Sequence, residues 1–274
     1  MKNTGMSMVP EKLPKCAKEC KSILCFGVDP VLSRMGMEKE KMDAGEKILE
    51  YFPSIIDSLL EESLISALKP NYAYFAAEGF EGLRALREII SRYKKKTFVI
   101  LDAKRADIGK SSEAYARECY GFWGADAVTI HPYMGKDSVS PFIQEGKLAY
   151  LLGRTSNPGA SDFQELSCAR GKLYESVFKK AKEWGTGLVV GATSDAIPRA
   201  VELAGEKTPL LIPGIGAQGG AYESLSALKK NPHIHRVNSS SAIAYAHEKE
   251  GGSPVSSALE EARKTSEKIN SFVF

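Results

Sequence analysis

The sequence contains no apolar run close to the roughly 20 residues that a bilayer-spanning helix requires, so the chain is expected to be soluble, with no membrane partner. It carries little net charge. Thirty-seven lysines and arginines against 34 aspartates and glutamates leave +3, too weak a field to suggest a nucleic-acid partner, though compatible with a small anionic substrate. A disulfide framework is missing as well: Cys16, Cys20, Cys25, Cys119 and Cys168 are odd in number and scattered, the usage of a chain kept in a reducing cytoplasm. Residues 1–20 are polar and lysine-rich and lack an apolar h-region, so they read as a polar N-terminal extension rather than a secretory signal. Histidine is scarce, with only His131, His233, His235 and His247. No Cys- or His-rich cluster follows Cys16 and Cys20, and neither a metal nor any other cofactor is expected.

What is present is a rhythm. The chain has 274 residues, 43% hydrophobic and 26% charged, ordinary values for a globular protein and enough length for one large α/β barrel or two small domains. From about residue 23 onward, short β-branched runs alternate with longer amphipathic ones, the mark of a parallel sheet covered by helices. Eight strands are expected, at Ile23–Asp29, Ala67–Asn71, Phe98–Lys104, Ala127–His131, Ala149–Thr155, Leu188–Thr193, Leu210–Pro213 and Arg236–Ser240. Helices are expected between them, for example Gly79–Lys94 with Leu83, Leu86, Ile89 and Ile90, and Gln218–Lys230 with Leu225 and Leu228 on one face. No Pro/Gly/Ser-rich linker divides these units, so residues 1–274 read as a single domain. Polar or glycine residues follow nearly every strand: Asp29, Lys69, Asp102 with Lys104, His131, Thr155 with Ser156, Gly214 and Ser240. A single (β/α)8 TIM barrel gathers such strand ends on one face, where its active sites sit, whereas an open sheet scatters them.

The densest chemistry lies in Leu101-Asp102-Ala103-Lys104-Arg105-Ala106-Asp107-Ile108, after the apolar run Phe98-Val99-Ile100. Asp102 and Lys104 are two apart, so on a regular strand both point to the same side, with Asp107 just beyond in the loop. The bland alternative is a solvated turn with incidental ion pairs. A carboxylate beside an ammonium at a buried strand end costs several kcal/mol of desolvation unless something uses the pair.

Asp-x-Lys-x-x-Asp at a strand end resembles the signature of the orotidine 5'-phosphate decarboxylase superfamily, and the fuller Asp102-Ala-Lys-Arg-Ala-Asp-Ile-Gly109 resembles one bacterial and archaeal branch of the decarboxylases. The likeness extends, in the family's order, through Phe26-Gly-Val-Asp-Pro30, Lys69-Pro-Asn-Tyr72, Arg154-Thr-Ser-Asn-Pro-Gly159 and Pro213-Gly-Ile-Gly-Ala-Gln-Gly-Gly220. The resemblance implies conversion of orotidine monophosphate to uridine monophosphate by Lys69, Asp102, Lys104 and Asp107 as an alternating charge array. It also implies a homodimer in which Asp107 crosses the interface, Ser111 reaches the neighbouring subunit's substrate, Asp29 binds ribose hydroxyls and Ser156 holds the pyrimidine edge.

Gly214-Ile-Gly216-Ala-Gln218-Gly219 admits two readings. A dinucleotide fold needs an acidic residue about twenty positions later to hold a ribose, and the chain offers Asn238, Ser239 and Ser240 instead. A phosphate cradle fits better. Glycines let backbone N–H groups approach an anion, Gln218 adds a donor, and the loops after the last two strands of a barrel are its usual phosphate site. The family resemblance also implies an arginine after the Ser-Ser pair of the last strand, where this chain has Ser241. Arg236 is expected to be no substitute, lying on the other side of the strand and roughly 16 Å away, so weakened phosphate binding is expected. Two alternatives stay open: a magnesium-dependent sugar-phosphate lyase or decarboxylase of the same superfamily, and a non-catalytic relative that binds uridine nucleotides.

Overall fold

The computed structural model describes residues 9–169, 171–192, 195–215 and 222–274. Eight strands close into a parallel barrel: β1 (Leu24–Val28), β2 (Ala67–Pro70), β3 (Phe98–Arg105), β4 (Ala127–Ile130), β5 (Leu148–Arg154), β8 (Gly187–Val190), β9 (Leu210–Pro213) and β10 (Arg236–Ser239). β10 returns to pair with β1 in the register Cys25↔Asn238. Two short strands, β6 (Ser167–Cys168) and β7 (Gly171–Lys172), form a separate antiparallel ribbon in the long connection after β5.

The barrel strands are buried on both faces, as parallel strands under a helical layer must be. On β3, Phe98 and Ile100 belong to an inner cluster with Cys25, Tyr150 and Leu211. Their neighbours Val99 and Leu101 face the helices with Leu86 and Ile90. The expected Gly79–Lys94 helix is found as Gly79–Tyr93. The helix Ala44–Glu61 begins in a capping box, Asp43 accepting from the Glu46 N–H at 2.8 Å and Glu46 accepting from the Asp43 N–H at 2.9 Å, which satisfies two otherwise orphaned donors.

One expectation needs correction, and one is filled in. The described part of the polar N-terminal extension expected at residues 1–20 contains a helix, Lys12–Cys20, that plugs the barrel. Its Leu13 is fully buried and joins Cys16 in the inner cluster, so lysines dominate the composition while one face seals the core. The expected helix Gln218–Lys230 is, in its described part, a 3-10 helix at Tyr222–Leu228. Leu225 and Leu228 are both buried there, because a three-residue spacing falls on one face of either helix type. Among the described residues, no helix is long and apolar enough to cross a membrane.

Candidate active site

A cavity of about 660 Å³ opens at the end of the barrel where the strands finish, and Asp29, Lys69, Asp102, Lys104, Ser156 and Ser240 are all part of its wall. Asp102 is its floor. Lys69 Nζ donates to Asp102 Oδ2 at 2.9 Å, Lys104 Nζ to Oδ1 at 2.7 Å, and the Thr129 hydroxyl to Oδ1 at 2.8 Å. Lys69 and Asp102 are only 5% and 8% exposed. Burial pushes the Asp102 carboxyl up, but Lys69 and Lys104 outweigh it and hold the group well below the usual carboxylate range. Burial likewise pulls Lys69 down, yet Asp102 and Asp29 more than offset that and hold its ammonium above the ordinary lysine value. Both shifts favour the ionised pair, which stays charged because each partner solvates the other.

Lys104 reaches Asp102 by a different route from the regular alternation expected. Its backbone is left-handed, with φ at +46°, and the β3–β4 register slips between Leu101 and Arg105. The conformation is held by a 3.0 Å hydrogen bond from Lys104 N–H to the Thr129 hydroxyl. Arg105 turns away from the cavity, pairs with both Glu118 oxygens, and lies over the Tyr72 and Tyr115 rings. The Lys104 side chain is not in a dry pocket in the single chain: it is 47% exposed toward the cavity.

Other expected residues divide. Asp29 lines the cavity, and its Oδ1 is buried without a hydrogen-bond partner. Ser156 is packed against the Gly191 backbone, where an added Cβ would lie 2.9 Å from Ser156 atoms. Ser240 is seated against Gly27, whose added Cβ would lie 1.8 Å from Ser240 Oγ. A glycine is therefore required at both contacts. Asp107 and Ser111 are absent from the cavity wall of the single chain, and Asp107 accepts from the neighbouring Ile108 N–H at 2.8 Å. Gly216, Gln218 and Gly219 lie outside the described residues.

Arg236 is excluded from the site, as expected. It is fully buried at the closed end of the barrel, donating to the carbonyls of His233, His235 and Leu13. His235 accepts there from Leu210 N–H. His131 does line the cavity; burial, with Lys104 nearby, lowers its pKa.

The comparisons with known proteins agree with this geometry. A family model described as "Orotidine 5'-phosphate decarboxylase / HUMPS family" matches residues 38–251. The chain is 44% identical to an orotidine 5'-phosphate decarboxylase of Dechloromonas aromatica, over 82% of this chain and 85% of that one. It is 38% identical to one from Herpetosiphon aurantiacus, over 95% and 96%. Among solved structures, the Leishmania donovani OMP decarboxylase superposes with a TM-score of 0.79 at 32% identity, covering 96% of this chain and 98% of that one. A putative orotidine-monophosphate decarboxylase from Toxoplasma gondii gives 0.85 at 28% identity, covering 98% of each. The chain belongs to the orotidine 5'-phosphate decarboxylase / HUMPS family.

Within this family member, two cavity residues escaped the reading of the sequence. Thr129, on β4, bonds both Asp102 and the Lys104 backbone. Gln164 lies in the connection that carries the ribbon and clamps Thr155, accepting from its N–H and donating to its hydroxyl, each at 2.8 Å. The only sequence signal for Thr129 was its place two residues before the strand-ending His131. Gln164 had none, because a glutamine in a loop reads as solvated.

Proposed function

We propose that this chain is an orotidine 5'-phosphate decarboxylase that converts orotidine monophosphate to uridine monophosphate and carbon dioxide in pyrimidine biosynthesis, without a cofactor. The observation that carries this reading is Asp102 clasped between Lys69 and Lys104 at the floor of the cavity. When the bond from C6 of the pyrimidine to its carboxyl carbon breaks, the electron pair stays on C6 with little resonance relief. A fixed ammonium stabilises that charge and then donates its proton to C6. Lys104 takes both roles: it lines the cavity, and its 2.7 Å hydrogen bond to Asp102 orients it. Lys69 keeps Asp102 ionised from the buried side.

Asp29 accepts from ribose hydroxyls, for which its unpartnered buried oxygen is suited, and Ser156 takes the pyrimidine edge. The phosphate goes to the loop containing Gly216, Gln218 and Gly219, beside Ser240. Asp107 and Ser111 serve the site of the second subunit in a cytoplasmic homodimer. The support for this is that both lie off the wall of their own cavity, and that Ile108, the residue after Asp107, is an exposed apolar side chain of the kind that subunit contacts cover. The Asp102-to-Gly109 motif favours the bacterial and archaeal branch.

Incubation with orotidine monophosphate tests the reading. Loss of the substrate's absorbance with one carbon dioxide released per uridine monophosphate formed, unaffected by a chelator, is expected. Chelator-sensitive turnover of a sugar phosphate, or uridine-nucleotide binding without carbon dioxide release, would contradict it.

A further inference from the structure

Ser241 leaves space beside it that the structure does not fill. A second cavity of about 240 Å³ shares Ile215, Ser239, Ser241 and Ala242 with the active cavity, so mostly small side chains separate the two. Its remaining wall carries three charged residues, Arg34, Lys249 and Glu261.

These three are not equivalent. Arg34 directs its guanidinium onto both oxygens of Glu248, at 2.9 and 2.5 Å, and lies over the Tyr245 ring at 4.2 Å. Its charge is therefore compensated and its geometry fixed. Glu261 accepts a long 3.4 Å hydrogen bond from Thr265. Lys249, in the short helix His247–Glu250, is exposed and makes no ion pair among the described residues. It feels the neighbouring Glu248 carboxylate through space, but no ion pair among the described residues fixes its ammonium, a compact charge on a flexible four-carbon stem.

We propose that Lys249 supplies, through this side cavity, the positive charge that an arginine at position 241 would have brought to the substrate's phosphate. The inference rests on the decarboxylase reading, which places a phosphate beside Ser240 and the loop after β9. Ile215, at the described edge of that loop, borders both cavities, so an anion held there faces the side cavity across Ser241 and Ala242. Glu261 faces the same space and opposes the anion. The two side chains therefore act with opposite signs on phosphate affinity, and neither acts on the uncharged nucleoside.

Calorimetric titration of the full-length protein with uridine monophosphate and with uridine tests this. Lys249→Ala is expected to weaken uridine monophosphate binding by about tenfold, the loss typical of one charge-assisted hydrogen bond, and to raise KM for orotidine monophosphate more than it lowers kcat. Lys249→Arg should retain affinity, and Glu261→Gln should tighten nucleotide binding. Ser241→Arg in the Lys249→Ala background should restore it, while uridine binding stays constant throughout. Lys249 is exposed, so its removal leaves the core intact. Unchanged nucleotide affinity in Lys249→Ala, or equal losses for nucleotide and nucleoside, overturns the proposal. A wild-type protein that binds the nucleotide but releases no carbon dioxide would instead sink the decarboxylase reading alone.

Discussion

Thr129 Oγ1 accepts a 3.0 Å hydrogen bond from the backbone N–H of Lys104, at a residue held in the left-handed region with φ at +46°. A non-glycine residue in that region costs about 1–3 kcal/mol and persists only where its surroundings enforce it. The same hydroxyl donates to Asp102 at 2.8 Å, so one side chain fixes both the backbone of the ammonium-bearing residue and the carboxylate that orients it.

Thr129→Val keeps the shape and removes both bonds. Leaving a buried polar group unpaired costs about 1–3 kcal/mol, so a lower melting temperature is expected. The turnover number should fall on the order of tenfold, the equivalent of about 1.4 kcal/mol in the barrier. Steady-state kinetics beside thermal denaturation measures both, and unchanged turnover in a destabilised variant would limit Thr129 to a structural part.

The buried pair sets a pH dependence. A carboxylate whose folded-state pKa is depressed adds stability that is present above its unfolded value and is lost as pH falls through the folded one. For Asp102, depressed by Lys69 and Lys104 against the effect of burial, the loss lies in acid, below about pH 4. Lys69 is shifted up by Asp102 and Asp29 against burial. Its contribution is complete below the unfolded value of about 10.4 and is lost as pH rises through the higher folded value. Between about pH 5 and 9 neither group titrates. Lys69→Met leaves Asp102 Oδ2 buried without its partner while Lys104 and Thr129 still hold Oδ1, so it should lose about 1–3 kcal/mol and move the acid-unfolding midpoint, followed by circular dichroism, to higher pH.

Gln164 holds the connection on which Ser156 sits, through its two bonds to Thr155, while Glu165 braces the same segment through Arg154 and Lys172. Each neutral bond contributes about 0.5–1.5 kcal/mol, so Gln164→Ala should raise KM on the order of tenfold with a smaller change in kcat. Gln164→Glu, which keeps the acceptor for Thr155 N–H, should recover part of the loss. A fall in kcat with KM unchanged would argue against a role in placing substrate.

Much of this arrangement was legible in the chain itself. Strand ends announced themselves by Asp29, Lys69, Asp102 and Ser156 after apolar runs, because a parallel barrel forces inner and outer burial on each strand and leaves polar side chains only at its rim. Pairing of Asp102 with Lys104 followed from their spacing, although the strand departs from regularity there. The contacts of Thr129 and Gln164 did not follow, since they join residues brought together only by barrel closure or by a folded-back connection. The helix at Lys12–Cys20 had a signal: Leu13, Cys16 and Ala17 fall at i, i+3 and i+4, one face of a helix, hidden beneath the lysines around them.

That helix offers a test remote from the chemistry. Leu13 is fully buried at the closed end of the barrel, and its carbonyl receives the Arg236 guanidinium. Leu13→Ala should cost about 2–5 kcal/mol in chemical denaturation and leave kcat and KM nearly unchanged. A selective loss of activity without a stability change would show that the plug acts on the site.

The most direct measurement compares the wild-type protein with Lys104→Ala in an absorbance assay on orotidine monophosphate, with circular dichroism to establish that both are folded. The expected result is rapid loss of substrate with the wild type and a fall in kcat of several orders of magnitude in the variant. Equal rates for the two folded proteins would contradict the assignment of Lys104 as the group that stabilises and protonates the pyrimidine carbanion.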